Sequence, residues 1–379
     1  MRVRQLRPLL PPAGNLLPYL QRIDSSRIYS NWGPLVEELT IRLEAHWDIT
    51  AGMVMTASSG TAALVGAILA AAGRSDARQK YAVTQSMTFV GTLSAIEQCG
   101  FEAKLLDVNR QTWSLEPADV EALPDLDRIG VVVPVAAYGR PICMKAWQEF
   151  MRRTEVPVVV DAAACFDTLS DLGLYPIGSI PLAISFHATK FFSTGEGGCV
   201  ICKDLDVVER TQRALNFGFF EDRSCRSASI NGKMSEYSAA IGLASLDGLK
   251  HVIPKSDAMC QVYQRLFADI PGYEMLTWPS ISRAYALLYE KEVARVSISD
   301  ELQRFGIEHR RWYGSGLHRQ PYIEERHDRA RYPVTDALCA SLIGMPVAWD
   351  FSTAEIGVLE NFATTLRERL RYFLDRYEQ

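Results

Sequence analysis

Hydrophobic positions between about residue 50 and residue 205 alternate between short runs rich in β-branched residues and longer stretches with helical spacing. This alternation is typical of a parallel sheet whose strands are joined by crossover helices. Strands are predicted at 79–83, 103–108, 129–135, 156–161, 183–186 and 199–202. Helices are predicted at 62–71, 90–99, 144–153 and 206–215. The chain is therefore expected to be an α/β protein.

The pattern changes after residue 235. Two consecutive helices are predicted at 236–250 and 255–270, and the Pro271-Gly272 pair then breaks the helical spacing. The remainder has the pattern of a smaller α/β unit that closes with a charged, periodic helix at 353–377. We predict a large domain over 1–250 and a small C-terminal domain over 251–379.

Composition and charge exclude several classes of function. The 379 residues are 48% hydrophobic, enough for a large buried core. Lys and Arg number 40 against 45 Asp and Glu, without a long basic run, which argues against a nucleic-acid partner. The longest uncharged apolar segment, 61–73, is too short to cross a bilayer, and prolines at 8, 11, 12 and 18 interrupt any signal-peptide core. We expect a soluble cytoplasmic protein without a membrane partner.

The eight cysteines are scattered along the chain, which does not indicate a disulfide framework. Cys199 and Cys202 have the spacing of a redox or zinc motif. They lie inside a predicted strand, however, and no second pair accompanies them. No metal site is predicted.

Three short segments carry candidate chemistry. Lys190 lies between an apolar strand and a glycine-rich turn, Asp161 ends the apolar run 156–161, and 59–61 opens the alanine-rich helix. Taken singly, these would be a surface lysine, a strand-end cap and a helix N-cap. Together they fall where open α/β sheets bind ligands, at the carboxyl ends of strands or at the start of the helix that follows. The combination indicates a ligand site.

Pyridoxal 5′-phosphate matches this set of residues. It requires an amine that forms a Schiff base, an anion beside the pyridine nitrogen, and donors for its phosphate. Lys190 supplies the amine and Asp161 the anion. The backbone N–H groups and helix dipole at Ser59, Gly60 and Thr61 suit the phosphate, with the Ser185 hydroxyl as a further donor. His187 is placed either to shape the lysine pocket or to pack beside it.

These motifs, in order along most of the chain, resemble the DegT-type sugar aminotransferases, which are fold type I pyridoxal phosphate enzymes. The landmarks are Asn31-Trp-Gly-Pro34, 59–64, Thr88-Phe89, Tyr138-Gly139, Asp161-Ala-Ala163, 185–198 and 231–236. The resemblance implies a large domain with a mostly parallel central sheet flanked by helices, and a smaller C-terminal α/β domain.

The resemblance also implies residue roles. Lys190 would hold the cofactor and carry a proton, while Asp161 would pair with the pyridinium. Phe89 would stack on the ring, where dispersion favours a flat apolar face. Gly60, Thr61 and Ser185 would bind the phosphate within one subunit. Asn231 would reach it from a neighbouring subunit, so a homodimer with shared active sites is expected.

Two positions depart from the family pattern. Ala164 stands where many members have histidine or glutamine, so a polar group near the ring hydroxyl is missing. Lys233 replaces an arginine, which keeps the charge but loses the bidentate fork. Neither change removes Lys190, and transamination is therefore retained. A histidine at that position would instead have indicated a sugar dehydratase.

The substrates implied by the resemblance are glutamate as amino donor and a nucleotide-linked keto-deoxysugar as acceptor. The chain looks most like members that aminate C4 of a dTDP-4-keto-6-deoxyhexose, with C3 amination as an alternative. Arg310 or Arg311 could pair with a phosphate or a carboxylate, or belong to a solvated loop or dimer contact. The full set of candidate substrate contacts is Asn31, Trp32, His187, Arg310, Arg311 and His318.

Two other classes of protein remain open. A lyase or cysteine desulfurase would also use a lysine and an aspartate, although a desulfurase normally needs a reactive cysteine, and no cysteine here has an activating setting. A non-enzymatic protein could use the same scaffold. The presence of Lys190, Asp161 and the phosphate turn together argues against that class.

Overall fold

The computed structural model describes residues 2–170, 177–291, 298–324 and 331–377. The strands are β1 Val54–Ala57, β2 Tyr81–Gln85, β3 Glu102–Leu106, β4 Ile129–Val133, β5 Val160–Asp161, β6 Leu182–Ser185, β7 Gly198–Ile201, β8 Tyr273–Leu276, β9 Leu287–Glu290 and β10 Leu342–Gly344. The helices are α1 Ala13–Ser26, α2 Pro34–His46, α3 Gly60–Ala72, α4 Val90–Gln98, α5 Pro117–Glu121, α6 Met144–Thr154, α7 Phe166–Ser170, α8 Leu205–Leu215, α9 Glu236–Phe267, α10 Ile298–Arg304, α11 Pro321–Glu324, α12 Pro333–Ser341 and α13 Thr353–Tyr377.

The central sheet has the order β3-β2-β4-β5-β6-β7-β1. Its β3-β2-β4 part is parallel, and single parallel bridges from Val132 and Val135 join β4 to the β5 segment. Strand β5 pairs in parallel with β6, whereas β7 runs antiparallel to both β6 and β1. The sheet is thus mostly parallel, as predicted. Strand β1 was not predicted, and neither was the reversal at β7.

The reversal at β7 has a local cause. A parallel connection needs a crossover, usually a helix, whereas β6 and β7 are joined by the loop that contains Lys190. Within this loop the Ala188 N–H donates to Gly195 O at 2.8 Å, and the Thr194 N–H donates to Phe186 O at 2.9 Å. These bonds fold the loop back on itself, so the chain returns beside β6 in the opposite direction.

Both faces of the central sheet are buried. Along β4, Val132 belongs to one hydrophobic core, while Val131 and Val133 belong to another. Strand β6 alternates in the same way, with Ile184 in the first core and Ala183 in the second. Burial on both faces is what a parallel sheet requires, and it explains why these strands are continuous hydrophobic runs.

The C-terminal part builds a separate core around the antiparallel sheet β10-β9-β8. Helix α9 connects this core to the first, because Leu243 packs in the first core and Phe267 in the C-terminal one. The prediction of two helices here was wrong: α9 continues through Pro254. Packing at both ends offsets the backbone hydrogen bond that a proline removes.

The predicted domain boundary at residue 250 falls inside α9. At the other end of the chain, Val3 packs in the C-terminal core and pairs with Ile307. The division into 1–250 and 251–379 therefore stays a proposal. Among the described residues, no helix combines the length and the apolar character that a bilayer span needs.

Two of the motifs meet at the start of α2. The carboxylate of Glu236 is 1% exposed and accepts hydrogen bonds from the N–H groups of Leu35 and Val36, both at 2.9 Å. A buried carboxylate at a helix N-terminus satisfies free donors and complements the helix dipole. Gly33 is required beside it, because a Cβ there would lie 2.6 Å from Ile28 Cγ2. The 31–34 and 231–236 segments are thus held together structurally.

Candidate active site

The turn between β1 and α3 is built by a helix cap and a close contact. Ser59 caps α3, its Oγ accepting a 3.0 Å hydrogen bond from the Ala62 N–H. Gly60 lies directly against the end of β6, since a Cβ at this position would approach Ser185 Cβ to 2.6 Å. Only glycine allows the turn to come this close to the strand.

This turn forms part of a cavity of about 460 Å³, a size typical of small-molecule sites. Nine of the candidate residues line it: Ser59, Gly60, Thr61, Phe89, Asp161, Ser185, His187, Lys190 and Arg310. They come from the last residues of β5 and β6, from the segments that follow β1, β2 and β6, and from the C-terminal part of the chain. The tertiary structure therefore brings the segments that the sequence singled out to one place.

Asp161 is a buried carboxylate in this cavity, 8% exposed. Its Oδ2 accepts a 2.7 Å hydrogen bond from Thr92 Oγ1, and its Oδ1 accepts one of 3.1 Å from the Ala163 N–H. Burial raises the pKa of Asp161, while these two hydrogen bonds and the charge of Lys190 oppose the rise. A carboxylate in this setting favours a cationic partner, which a protonated pyridine ring would provide.

Lys190 extends into the same cavity from the β6–β7 loop. Its backbone N–H donates to His187 O at 2.8 Å, and its Nζ donates to Tyr285 Oη at 3.1 Å. The His187 ring is held by Thr189, whose Oγ1 lies 2.9 Å from Nδ1. The amine is thus presented by a closed loop and contacts a side chain distant in sequence.

Phe89 caps the start of α4 and lines the cavity, although it is 63% exposed. A large aromatic side chain this exposed is available to stack on a flat ring. Arg310 lies at the cavity wall with its guanidinium carbon 4.8 Å from the centre of the Trp312 ring.

Five candidates lie outside the cavity: Asn31, Trp32, Asn231, Arg311 and His318. Trp32 packs against the first core, and Arg311 donates to the carbonyl oxygen of Ala340. Asn231 accepts a 2.8 Å hydrogen bond from Lys233 Nζ. Its predicted role at a neighbouring subunit stays a prediction.

His318 is a buried residue outside the cavity. Its side chain is fully buried, stacks on Tyr332 at 4.5 Å, and contacts Ser86 Oγ and, at 3.1 Å, Asp336 Oδ1. Burial lowers the pKa of His318. In this arrangement His318 packs inside the fold and does not line the cavity, and its role as a substrate contact stays a prediction.

Thr92 and Tyr285 also line the cavity, but they were not singled out from the sequence. The sequence spacing could have pointed to Thr92, because it follows Thr88 by four residues, about one helical turn. In the structure the hydroxyl oxygens of these two residues are 2.7 Å apart. No such spacing points to Tyr285. It comes from a segment 95 residues after Lys190, and only folding brings the two together.

The family model of the DegT/DnrJ/EryC1/StrS aminotransferases matches residues 14–362. The chain belongs to this family. This membership confirms two predictions. The fold is that of the fold type I enzymes, and the activity is that of a pyridoxal phosphate-dependent sugar aminotransferase. The cavity of this DegT-family enzyme is accordingly its candidate active site.

Relatives of this DegT-family enzyme cover most of its length. It is 29% identical over 356 residues to Protein Rv3402c of Mycobacterium tuberculosis, spanning 90% of this chain and 84% of that protein. It is 28% identical over 271 residues, 71% of each chain, to the dTDP-4-amino-4,6-dideoxy-D-glucose transaminase of Shigella dysenteriae. Among solved structures, DesI with its TDP-sugar product superposes with a TM-score of 0.82 at 26% identity, covering 100% of this chain and 96% of DesI.

Proposed function

We propose that this enzyme moves an amino group from glutamate to a nucleotide-linked keto-deoxysugar, at C4 of a dTDP-4-keto-6-deoxyhexose, in the cytoplasm. The observation that carries the proposal is one cavity lined by Lys190, by the buried carboxylate of Asp161 and by Arg310. Two similar proteins, the Shigella transaminase and DesI, are named with dTDP- or TDP-linked sugars, which supports this acceptor class. Amination at C3 is the second candidate.

The residues of the cavity fit pyridoxal phosphate. The buried anion of Asp161 suits a pyridinium, and the close Gly60–Ser185 contact forms a turn that only a small residue permits. Lys190 Nζ would bind the cofactor's carbonyl carbon, and Phe89 would cover one ring face. Ser59, Gly60, Thr61 and Ser185 would hold the phosphate, joined by Asn231 of a second subunit in a homodimer. When bound, the cofactor supplies an electron sink for the substrate's Cα.

The protein's own groups would control where charge and protons go. Lys190 Nζ would act as the base that takes the proton from the donor's Cα and delivers it to the C4′ carbon of the cofactor. Asp161 would keep its negative charge beside the ring nitrogen, assisted by the hydroxyl of Thr92. Trp312, Tyr313 and Tyr285 line one side of the cavity with aromatic rings, which would limit the access of water.

Arg310 is our candidate for substrate recognition. A guanidinium binds a carboxylate or a phosphate through paired charge-assisted hydrogen bonds. The same side chain could therefore bind glutamate in one half-reaction and the diphosphate of the acceptor in the other. His187 is a further candidate, since its Nε2 lies 3.7 Å from Glu196 Oε1 at the cavity wall.

An absorbance titration tests this proposal. The purified protein loaded with pyridoxal phosphate should show a visible band that glutamate converts to the shorter-wavelength band of pyridoxamine phosphate. One keto-sugar from a panel of 3-keto and 4-keto dTDP- and UDP-sugars should then restore the visible band. NMR of the product would identify the aminated carbon.

The other outcomes are equally informative. A band that responds to no amino donor would point to a lyase. Restoration by a 3-keto-sugar alone would move the reaction to C3. A protein that forms no band even with added pyridoxal phosphate would overturn the proposed function.

A further inference from the structure

The contact between Lys190 and Tyr285 is formed by two distant segments. The Tyr285 side chain lies in the cavity wall, is 8% exposed, and accepts the 3.1 Å hydrogen bond from Lys190 Nζ. The hydroxyl is therefore within reach of the amine that the proposed function assigns to cofactor binding.

The position of the Tyr285 ring is determined by two neighbouring aromatic rings. Tyr138 packs edge-to-face against it, with 5.3 Å between ring centres and an interplanar angle of 87°. Trp312 does the same from another direction, at 5.7 Å and 89°. Edge-to-face pairs of this kind restrict both the translation and the tilt of a ring. The hydroxyl is consequently held at one place on the cavity wall.

The backbone before Tyr285 is held by a buried carboxylate. Asp167, in helix α7 shortly after Asp161, is 2% exposed. It accepts 2.7 Å hydrogen bonds from Ser282 Oγ and from the backbone N–H of Arg283. The Tyr285 N–H in turn donates to Ser282 O at 3.0 Å.

The Arg283 side chain strengthens this attachment. Its Nη1 lies 3.7 Å from Asp167 Oδ2, and its Nε donates to Asp257 at 2.7 Å. The guanidinium also lies over the Trp278 ring, 3.7 Å from its centre. Asp167 therefore connects the segment after β5 to the segment that presents Tyr285.

We propose that the hydroxyl of Tyr285 is a catalytic group that holds Lys190 Nζ in the cavity while the amine is free. Asp167 is a positioning residue that acts through Ser282 and Arg283. This inference rests on the proposed role of Lys190. A lysine side chain has four rotatable bonds, and a fixed hydrogen-bond partner keeps its amine in the orientation needed for reaction. Without the hydroxyl, the amine would sample other rotamers before meeting its partner.

The test measures covalent attachment rather than turnover. Attachment joins Nζ to the cofactor's carbonyl carbon, and the carbonyl oxygen leaves as water with the two amine protons. Cofactor-free protein is mixed with pyridoxal phosphate, and growth of the visible band gives the rate. Pyridoxine 5′-phosphate lacks the carbonyl and cannot form the covalent bond. Its dissociation constant therefore measures the non-covalent affinity of the cavity for the cofactor's ring and phosphate.

We expect Tyr285→Phe to slow attachment about tenfold, the effect of losing one hydrogen bond, and to leave pyridoxine phosphate affinity unchanged. Tyr289→Phe is the matched control. Tyr289 packs in the same hydrophobic cluster as Tyr285, but it does not line the cavity, so this variant removes a nearby hydroxyl that cannot contact the amine there. Attachment at the wild-type rate in Tyr285→Phe would overturn the proposal, as would an equal loss of affinity for pyridoxine phosphate.

The role of Asp167 is tested by a double-mutant cycle. Ser282→Ala and Asp167→Asn should each slow attachment by a smaller factor, and neither should slow it further when Tyr285→Phe is present. Additive effects would contradict positioning through Tyr285. If Asp167→Asn does not fold, Ser282→Ala completes the cycle alone.

Borohydride reduction followed by peptide mapping separates the two proposals. Cofactor trapped on a lysine other than Lys190 would overturn the proposed function itself. Cofactor on Lys190, attached at an unchanged rate in Tyr285→Phe, would overturn only the role of Tyr285.

Discussion

Thr92 donates a 2.7 Å hydrogen bond from its hydroxyl to Oδ2 of Asp161. The bond connects the first turn of α4 to the end of β5, and it is one of the interactions that oppose the burial-induced rise in the pKa of Asp161. The proposed mechanism requires Asp161 in its ionised form. This form is stabilised by a residue on α4, the helix that follows β2.

We predict that Thr92→Val slows the glutamate half-reaction about tenfold or more, because hydrogen bonds to charged groups contribute roughly 1.5–3 kcal/mol. Valine keeps the shape of the side chain but cannot donate. Thr92→Ser should retain most of the rate, since it keeps the hydroxyl. The measurement is the decay of the visible band after rapid mixing with glutamate. Equal rates in the valine and serine variants would show that the hydrogen bond is dispensable.

Gly60→Ala should weaken both the fold and the phosphate site. The added Cβ would lie 2.6 Å from Ser185 Cβ and 3.1 Å from its Cα, so the turn must move away from β6. Overpacking of this kind costs about 1–3 kcal/mol. We expect lower stability in urea and weaker binding of pyridoxine phosphate.

Gly248→Ala is the control for this substitution. It lies inside α9, and an added Cβ there meets nothing within 4 Å. Replacing an unhindered helical glycine should stabilise the protein by about 0.5–1 kcal/mol. Similar unfolding midpoints for the two alanine variants would contradict the close packing of the phosphate turn.

His318 should make stability sensitive to acid. Burial lowers the native pKa of His318 below the ordinary value of 6.5. Below pH 6.5 the unfolded chain therefore binds a proton at His318 more readily than the native protein does, and the unfolded state is favoured. The stabilising contribution of neutral His318 is present above pH 6.5 and is lost as the pH falls toward the lowered native pKa.

The measurement is the free energy of unfolding at pH 7.5 and 5.5. His318→Gln should lose less stability between these two values than the wild type does. His251→Gln, at an exposed position on α9, should behave like the wild type. An unchanged difference in His318→Gln would mean that this histidine does not titrate in the native state as its burial implies.

A shared active site can be tested by complementation. Lys190→Ala should prevent covalent attachment of the cofactor, and Asn231→Ala should weaken its retention. In a mixed dimer of the two variants, one site would combine Lys190 from one subunit with Asn231 from the other. Activity above the average of the separate variants, after unfolding and refolding them together, would support the predicted dimer. Activity equal to that average would indicate independent sites.

The sequence alone was sufficient for the parts of the protein that depend on local patterns. Alternating strands and helices predicted the mostly parallel sheet, because a sheet buried on both faces needs continuous apolar strands. Lys190 and Asp161 could be singled out because Lys190 lies in the turn after such a strand and Asp161 ends one, and the turn at 59–61 because it opens a predicted helix. In the structure they line one cavity.

Local patterns were not sufficient where the outcome depends on distant packing. His318 has the sequence setting of a basic loop, but the Tyr332 ring and the Asp336 carboxylate that contact it come from other segments. The continuity of α9 likewise depends on two cores at its ends, which no local spacing of residues reveals.

The chemical groups of the candidate site were thus determined by the sequence, and their hydrogen-bond partners by the tertiary structure. A lysine or an aspartate is recognisable by its residue type and its place after a strand. Thr92 and Tyr285 become partners only when the chain is folded, because they lie 69 and 95 residues from Asp161 and Lys190. Residue type is local information, whereas a 3 Å contact between distant segments exists only after the whole core has packed.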